Sequence, residues 1–199
     1  MRPLAPTPEP PGFDKRVRDR GNKWLAKNPT AVSSKFPDYW NEFRKEVQEA
    51  FEECCAYLGF PIVSGQVDHF IAKNVDKTRT YEWSNYRWGE PRVNQLKGTR
   101  PFLDPHSLEP GWVAIDPVTL EYKAGPNLPA HLLAEATNTF EVLNDPEIKR
   151  GRRGVLKPFA LPEGGWDIPK LRLFFPLLAE CAESFEREYQ EFLAKSESV

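Results

Sequence analysis

Four residues between positions 68 and 94 carry side chains that together could hydrolyse a phosphodiester bond. Asp68 and His69 are adjacent, Asn85 follows His69 by sixteen positions, and Asn94 follows Asn85 by nine. An imidazole has an ordinary pKa of about 6.5 and can therefore accept a proton from an attacking water near neutral pH. A carboxylate and an amide oxygen suit a hard cation such as Mg²⁺, which would offset charge on the phosphoryl oxygens. These residue types predict metal-assisted hydrolysis.

The elements around these residues must bring them to one point. The stretch FPIVSGQVDHFIAKN predicts a strand, a turn and a second strand, and YEWSNYRW predicts a short strand with a turn at Ser84 and Asn85. The stretch GEPRVNQLKG predicts a short helix that carries Asn94 and could complete the metal site. On a regular strand Asp68 and His69 would point to opposite faces, so their cooperation requires a local turn of the backbone. Asn85 could either hold the loop or accept a hydrogen bond from the imidazole.

In this order, the segments DHF, EWSN and N-x-x-KG resemble the motif of the HNH endonuclease family, also called ββα-metal or His-Me finger, in its Asp-His-Asn-Asn form. The resemblance covers roughly residues 55–105, about a quarter of the chain. It implies an α+β fold, with a ββα-metal core surrounded by several helices. It also implies that His69 is the general base, that Asp68 and Asn94 bind Mg²⁺ or Mn²⁺, and that Asn85 orients His69 and pins the hairpin loop.

The chain departs from the family in one respect. Many HNH proteins of this type carry two CxxC pairs that bind a structural zinc, and the corresponding positions here are Cys55, Leu58, Glu90 and Val93. One cysteine does not make a tetrahedral zinc site, so no structural zinc is expected. Leu58 and Val93 could replace the metal with an apolar contact.

Segments outside this core are similar to HNH proteins encoded in bacterial anti-phage islands. The segments are PPGFDKRVRDRGNKWLAKNP, GWVAID and LND…R, and nuclease subunits of Zorya- or Septu-like systems are examples of that setting. The resemblance implies an effector in antiviral defence. We expect a regulatory or targeting protein partner from the same operon, because so small a nuclease has no ATPase or sensor of its own.

Composition favours a single folded domain in the cytoplasm. The chain has 199 residues, of which 40% are hydrophobic. Three cysteines, two of them adjacent, argue against a disulfide framework. No apolar stretch approaches the roughly 20 residues needed to span a membrane, and the N-terminus lacks the apolar segment of a secretory signal. We therefore expect no membrane insertion.

The chain divides into a proline-rich flexible segment over residues 1–12 and one HNH nuclease domain over residues 13–199, with its ββα-metal core at about 60–100. Apolar residues at three- and four-residue spacing predict helices over residues 38–58, 128–144 and 168–195, the last kinked or divided at Pro176. Residues 14–27 predict a short basic helix or arm.

Local charge predicts a DNA-binding surface although the formal net charge is −2. Residues 70–100 hold seven Lys and Arg against three acids, which is a net charge of +4, whereas residues 178–199 hold six Glu against two cations. Phosphate neutralisation dominates DNA affinity, so this asymmetry indicates contact with DNA near the site. The predicted contacts are Lys73, Arg79, Arg87, Arg92, Lys97 and Arg100. A second basic run, over residues 149–157, predicts either a DNA contact or a solvated loop.

Each candidate also has an ordinary structural interpretation. His69 could be a buried, hydrogen-bonded histidine, Asn85 a turn residue and Asn94 an exposed helix amide. The leading hypothesis is a metal-dependent DNA endonuclease with nicking or weakly specific cutting. The alternatives are a catalytically decayed HNH-fold module for DNA binding or assembly, and an RNase or toxin of the same fold.

Overall fold

Seven α-helices and two antiparallel two-stranded sheets form the regular structure of residue 1 and residues 3–196, the part of the chain that this computed structural model describes. The chain is of mixed α and β class, as the sequence predicts. The elements are α1 (Asp19–Lys27), α2 (Arg44–Ala50), β1 (Gln66–His69), β2 (Tyr86–Gly89), α3 (Pro91–Lys97), β3 (Val113–Ile115), β4 (Tyr122–Ala124), α4 (Leu133–Leu143), α5 (Pro146–Leu156), α6 (Ile168–Phe174) and α7 (Pro176–Ser196). None of the helices in these described residues combines the length and apolar character needed to cross a membrane.

A hairpin occupies the middle of the chain and separates two apolar clusters. β1 and β2 pair antiparallel, with Asp68 opposite Arg87 and His69 opposite Tyr86. Because side chains alternate across a strand, one face carries Val67, His69, Tyr86 and Trp88 and the other carries Asp68 and Arg87. The first face packs into a cluster that we call the aromatic cluster, formed by Phe13, Val17, Trp40, Phe43, Val47, Phe51, Ala56, Tyr81, Tyr86 and Trp88. The larger cluster, which includes Tyr57, Val93 and Phe102, holds the rest of the core.

The helix predicted directly after the hairpin is confirmed as α3. Its N-cap is Glu90, whose carboxylate accepts the Val93 N–H at 2.8 Å. Pro91 occupies the first turn, where no backbone donor is needed. The helix stops at Gly98, which has a positive φ of 53° that a side chain would strain. One residue thus separates β2 from α3, which places the helix against the hairpin.

The helix predicted over residues 38–58 is shorter in the structure. Tyr39–Phe43 form a 3₁₀ segment and α2 ends at Ala50. After it, Glu52 and Glu53 adopt φ angles of 53° and 58°, which a right-handed helix excludes. The regularly spaced apolar residues are buried all the same. Their spacing therefore identified core positions correctly but extended the helix too far.

The strand-turn-strand unit predicted around Asp68 and His69 was also wrong in part. Only β1 is a strand in this stretch, and sixteen residues separate it from its partner, β2. The segment Trp83–Asn85 is a 3₁₀ turn, so β2 begins only at Tyr86. The hairpin is thus closed by a long loop instead of a tight turn.

Helices predicted elsewhere are present with modest changes of boundary. Residues 14–27 form a π-helical turn followed by α1, and residues 130–143 form a 3₁₀ turn followed by α4. The C-terminal helical region is divided into α6 and α7 immediately before Pro176, because proline lacks the N–H that a continuous helix would use. The segment GWVAID contributes β3, as expected from its composition.

The basic run over residues 149–157 lies mostly in a helix, α5, and not in a loop. Arg152 is buried there, with its guanidinium carbon 4.4 Å from the centre of the Tyr122 ring. It donates hydrogen bonds to the carbonyl oxygens of Leu120 and Leu143. At least this cation of the run is a structural residue and does not present its charge to a ligand.

Residues 3–10 of the proline-rich segment have no regular secondary structure but lie against the body of the protein. The Leu4 carbonyl oxygen is 2.8 Å from His106 Nδ1, and Trp83 Nε1 donates to the Thr7 carbonyl oxygen at 3.0 Å. These contacts anchor a segment that composition alone assigns to a flexible tail.

Candidate active site

Asp68 is buried on one face of the hairpin, and its carboxylate is fully compensated. The Tyr57 hydroxyl donates a hydrogen bond to Oδ2. The Lys97 ammonium lies 3.0 Å from Oδ2 and 3.3 Å from Oδ1, and it also donates to the His69 carbonyl oxygen at 3.0 Å. Asp68 is 3% exposed and Lys97 is 1% exposed. A buried charge is costly without a partner, and each of these two charges compensates the other. Since Asp68 is on β1 and Lys97 is on α3, the ion pair links the strand to the helix.

Tyr57 is suited to hold the Asp68 carboxylate at all physiological pH values. Burial, and then the negative charge of Asp68, raise the pKa of the Tyr57 phenol well above its ordinary value. The phenol therefore keeps its proton and remains a donor to Asp68.

His69 lies on the opposite face, among aromatic rings, and is 8% exposed. Its ring meets Trp40 and Tyr86 edge to face, with centroids 4.6 and 5.2 Å away. Nε2 is 2.9 Å from the Thr80 carbonyl oxygen. A carbonyl oxygen only accepts, so Nε2 carries the ring proton and Nδ1 keeps its lone pair. Burial, with a smaller contribution from Lys73, lowers the pKa of His69 to about 3, so the ring is neutral at pH 7.

Asn85 ties together the two ends of the loop between β1 and β2. Its amide oxygen accepts the Ile71 N–H at 2.8 Å, and its amide nitrogen donates to the carbonyl oxygens of Ile71 and Arg79, both at 3.0 Å. Arg79 directly precedes Thr80, whose carbonyl oxygen faces the His69 ring. Asn85 thus helps to position the Thr80 carbonyl oxygen, which accepts the hydrogen bond of His69. The three hydrogen bonds of the Asn85 amide are all to main-chain atoms.

We expect Asn85→Ala to lower the free energy of unfolding by about 2–4 kcal/mol. The substitution removes three hydrogen bonds and leaves buried backbone groups without partners. Urea unfolding followed by tryptophan fluorescence measures the change. Asn74→Ala is the matched control, since Asn74 is exposed in the same loop and its loss should cost less than about 0.5 kcal/mol. Equal stability of the two variants would contradict the role assigned to Asn85.

Asn94 is half-buried on α3, three residues before Lys97. Residues three apart lie on the same side of a helix, so Asn94 is one turn from the side chain that contacts Asp68. In the described part of the chain, no group of three or more His, Cys, Asp or Glu side chains could hold a metal ion. The predicted ligands, Asp68 and Asn94, supply one carboxylate and one amide, so they do not amount to a group of this kind.

The structure brings some of the predicted site residues together and separates others. Asp68, Lys97 and the helix that carries Asn94 meet on one face of the hairpin. His69 points to the other face, because β1 stays regular and has no local turn at Asp68. The two side chains nevertheless come from consecutive residues at the end of the strand, whose Cα atoms are about 3.8 Å apart.

The predicted DNA-contacting cations fall into two groups. Arg87 is 2% exposed and forms a bidentate ion pair with Asp104 at 2.6 to 2.9 Å, and Lys97 is held by Asp68. Their burial removes both from a surface that a phosphate can reach. The others are partly or fully exposed, namely Lys73, Arg79, Arg92 and Arg100. The three arginines form only long ion pairs of 3.5 to 3.7 Å, which are worth little and exchange readily for phosphate.

The four positions that the sequence resemblance aligns with zinc ligands, Cys55, Leu58, Glu90 and Val93, lie in or beside the larger apolar cluster. Cys55, Leu58 and Val93 are buried in the same apolar cluster, and the Glu90 N–H donates to Cys55 Sγ at 3.4 Å. Burial raises the pKa of the Cys55 thiol. The side chain of Glu90 is used as the α3 cap. These four residues thus join the segment before β1 to the segment after β2 through packing.

Comparisons with models of known protein families, with curated proteins and with solved structures found no match to this chain.

From the sequence, Tyr57 was missed and Lys97 was predicted as a DNA contact, although both side chains shape the site. Tyr57 and Lys97 both contact Asp68, although Tyr57 lies eleven residues before it and Lys97 twenty-nine after it. One available signal was that a buried tyrosine hydroxyl usually finds a polar partner. The other was that Lys97 shares a helix face with Asn94. Neither signal identifies Asp68 as the partner.

Proposed function

We propose that this chain is an HNH-class endonuclease that hydrolyses DNA phosphodiester bonds with a divalent ion such as Mg²⁺ or Mn²⁺. The observation that carries the proposal is the state of His69. Its Nε2 proton is donated to the Thr80 carbonyl oxygen, and Asn85 holds the backbone that supplies this acceptor. No residue that the structure describes donates a hydrogen bond to Nδ1. A neutral imidazole with a fixed tautomer is what a general base requires.

The hairpin and α3 supply the remaining parts of the proposed ββα-metal unit. Asp68 on β1 and Asn94 on α3 offer oxygen donors, which suit a hard divalent cation. Such an ion, when bound, supplies neutralisation of charge on the phosphoryl oxygens. His69 Nδ1 accepts the proton of the attacking water. The two side chains leave opposite faces of β1, so a phosphate would have to lie at the end of the strand to be reached from both.

Substrate binding rests on the exposed cations near the site. Lys73, Arg79, Arg92 and Arg100 would contact phosphates, which gives affinity without sequence information. We therefore expect nicking or weakly specific cutting. An effector role in anti-phage defence, with a regulatory or targeting protein from the same operon, belongs to the same proposal.

The test is cleavage of supercoiled plasmid by the purified chain, in Mg²⁺ and in EDTA, beside an equal mass of structured RNA. Cleavage of the plasmid that requires Mg²⁺ supports the proposal. A preparation of the His69→Ala variant controls for contaminating nucleases. Cleavage that persists in EDTA, or that is equal for the natural chain and His69→Ala, would reject the proposed function. Preferential cleavage of RNA would identify an RNase.

A second candidate function is a catalytically decayed module that binds DNA or assembles with another protein. Two observations favour it: Lys97 already neutralises Asp68, and the pKa of His69, at about 3, lies well below the range that favours a base at neutral pH. This function predicts retention of DNA in a gel-shift experiment with no cleavage in Mg²⁺ or Mn²⁺.

A further inference from the structure

The position of Lys97 is unusual for a cation on a short surface helix. Its side chain turns inward and is 1% exposed, and its ammonium spans both oxygens of the Asp68 carboxylate. The third contact of the ammonium is the His69 carbonyl oxygen at 3.0 Å. The ammonium therefore donates hydrogen bonds to Asp68 Oδ1 and to the His69 carbonyl oxygen, and its charge lies 3.0 Å from Asp68 Oδ2.

This arrangement places a positive charge at the carboxylate that a divalent ion would use. We propose that Lys97 is an internal counter-ion that competes with divalent metal for Asp68, so that metal binds only when the Lys97 ammonium withdraws. The inference rests on the proposed function, because it takes Asp68 as a metal ligand. Lys97, which the sequence predicts as a DNA contact, would then regulate metal binding.

The energetics of burial support competition over simultaneous binding. Two cations within about 4 Å of one another repel strongly in a poorly solvated site. Within residues 1 and 3–196, the other side chain that bonds the Asp68 carboxylate is the neutral Tyr57 hydroxyl, which does not oppose a metal. Lys97 therefore keeps the folded chain stable without metal and at the same time weakens its affinity for metal.

The arrangement also explains how a site this buried could open. Lys97 is the last residue of α3, and the Gly98 N–H closes the helix on the Asn94 carbonyl oxygen. Four methylene groups separate its ammonium from the backbone, and a rotation of this stem would move the charge away from Asp68. Binding of an anion beside α3, such as a DNA phosphate, would favour the withdrawn state.

The experiment is a titration of metal-free protein with Mn²⁺ at neutral pH. Electron paramagnetic resonance measures the concentration of free Mn²⁺ at each step. Lys97→Met keeps the volume and removes the charge, and we expect it to bind Mn²⁺ about tenfold more tightly than the natural chain, or better. Lys45→Met is the matched control, because it removes an exposed lysine charge on α2 and should change affinity less than about twofold. The gain must disappear in the Asp68→Asn, Lys97→Met double variant.

Every outcome for Lys97→Met decides the question. A folded variant that binds Mn²⁺ no better than the natural chain overturns the inference, as does a gain that survives Asp68→Asn. If the variant unfolds without metal, refolding in millimolar Mn²⁺ supports the inference, and failure to refold overturns it. Cleavage plays no part in the readout, so DNA cutting with no affinity gain would leave the proposed function intact. If Lys97→Met binds Mn²⁺ more tightly but no variant cleaves DNA, the inference about Lys97 stands and the proposed nuclease function fails.

Discussion

Replacing His69 with alanine is expected to lower the rate of plasmid cleavage by about 10²–10⁴-fold, the usual contribution of a general base. Nδ1 is the only ring nitrogen with a free lone pair, because Nε2 donates to the Thr80 carbonyl oxygen. Alanine removes this acceptor and leaves the Asp68 side of the hairpin unchanged. The measurement is single-turnover nicking of supercoiled DNA in Mg²⁺, with protein in excess.

Alanine also removes a ring that packs between Trp40 and Tyr86, so a second variant separates catalysis from folding. His69→Gln keeps an N–H that can donate to Thr80 but has no basic nitrogen. We expect its cleavage rate to fall as far as that of His69→Ala while its urea midpoint stays closer to that of the natural chain. His106→Ala is the matched control, because His106 also bonds a backbone carbonyl and packs on an aromatic ring. A His69→Gln variant that cuts within threefold of the natural rate would exclude His69 as the base.

Loss of the Arg87 guanidinium is expected to lower the free energy of unfolding by about 3–5 kcal/mol, the cost of breaking a buried ion pair by removing one partner. Arg87 bonds both oxygens of Asp104 and donates to the carbonyl oxygens of Ser84 and Tyr86 at 2.8 Å. Arg87→Ala would remove a donor from each of these acceptors and the positive charge beside Asp104, whose Oδ1 would keep the His106 N–H. The ion pair connects β2 to the segment after α3, so its loss should loosen the hairpin that carries both Asp68 and His69.

Urea unfolding of Arg87→Ala measures this effect, and Arg100→Ala is the control. Arg100 is about half exposed and lies 3.5 Å from Glu141, a pair that should contribute less than about 1 kcal/mol. The Arg87→Met, Asp104→Leu double variant should recover part of the stability, because an apolar pair of similar volume needs no desolvation of charge. If Arg87→Ala unfolds within 1 kcal/mol of the natural chain, the side chain is not the structural link described here and its role as a DNA contact becomes the better hypothesis.

Two predicted helices show where sequence-based reasoning succeeds and where it fails. Helix α3 was predictable because its signals are local, with a capping Glu90, a first-turn proline and a terminal glycine. The extent of the helix that begins near Asp38 was not, since the apolar spacing continues through Glu52 and Glu53 after the backbone has turned. Periodicity reports which residues are buried, and a loop that packs on the core can keep the same period as a helix.

Charge was the least predictable property of the site. In the sequence, Lys97, Arg87 and Arg152 look like the other cations of two basic segments. The structure buries all three against acceptors that lie between 9 and 32 positions away. A long aliphatic stem lets a charged residue enter the core when a partner is present, and the partner is a property of the fold.

The sequence by itself determined the α+β class, the position of α3 after the hairpin, the division at Pro176 and the order of Asp68, His69, Asn85 and Asn94 along the chain. Each of these follows from neighbouring residues or from counting positions. Only the tertiary structure decided that Asp68 faces Lys97 and Tyr57, that His69 bonds the Thr80 carbonyl oxygen, and that the two side chains leave opposite faces of β1. The physical reason is that a buried polar atom must find a partner in space, and the chain supplies that partner from whichever distant segment folds beside it.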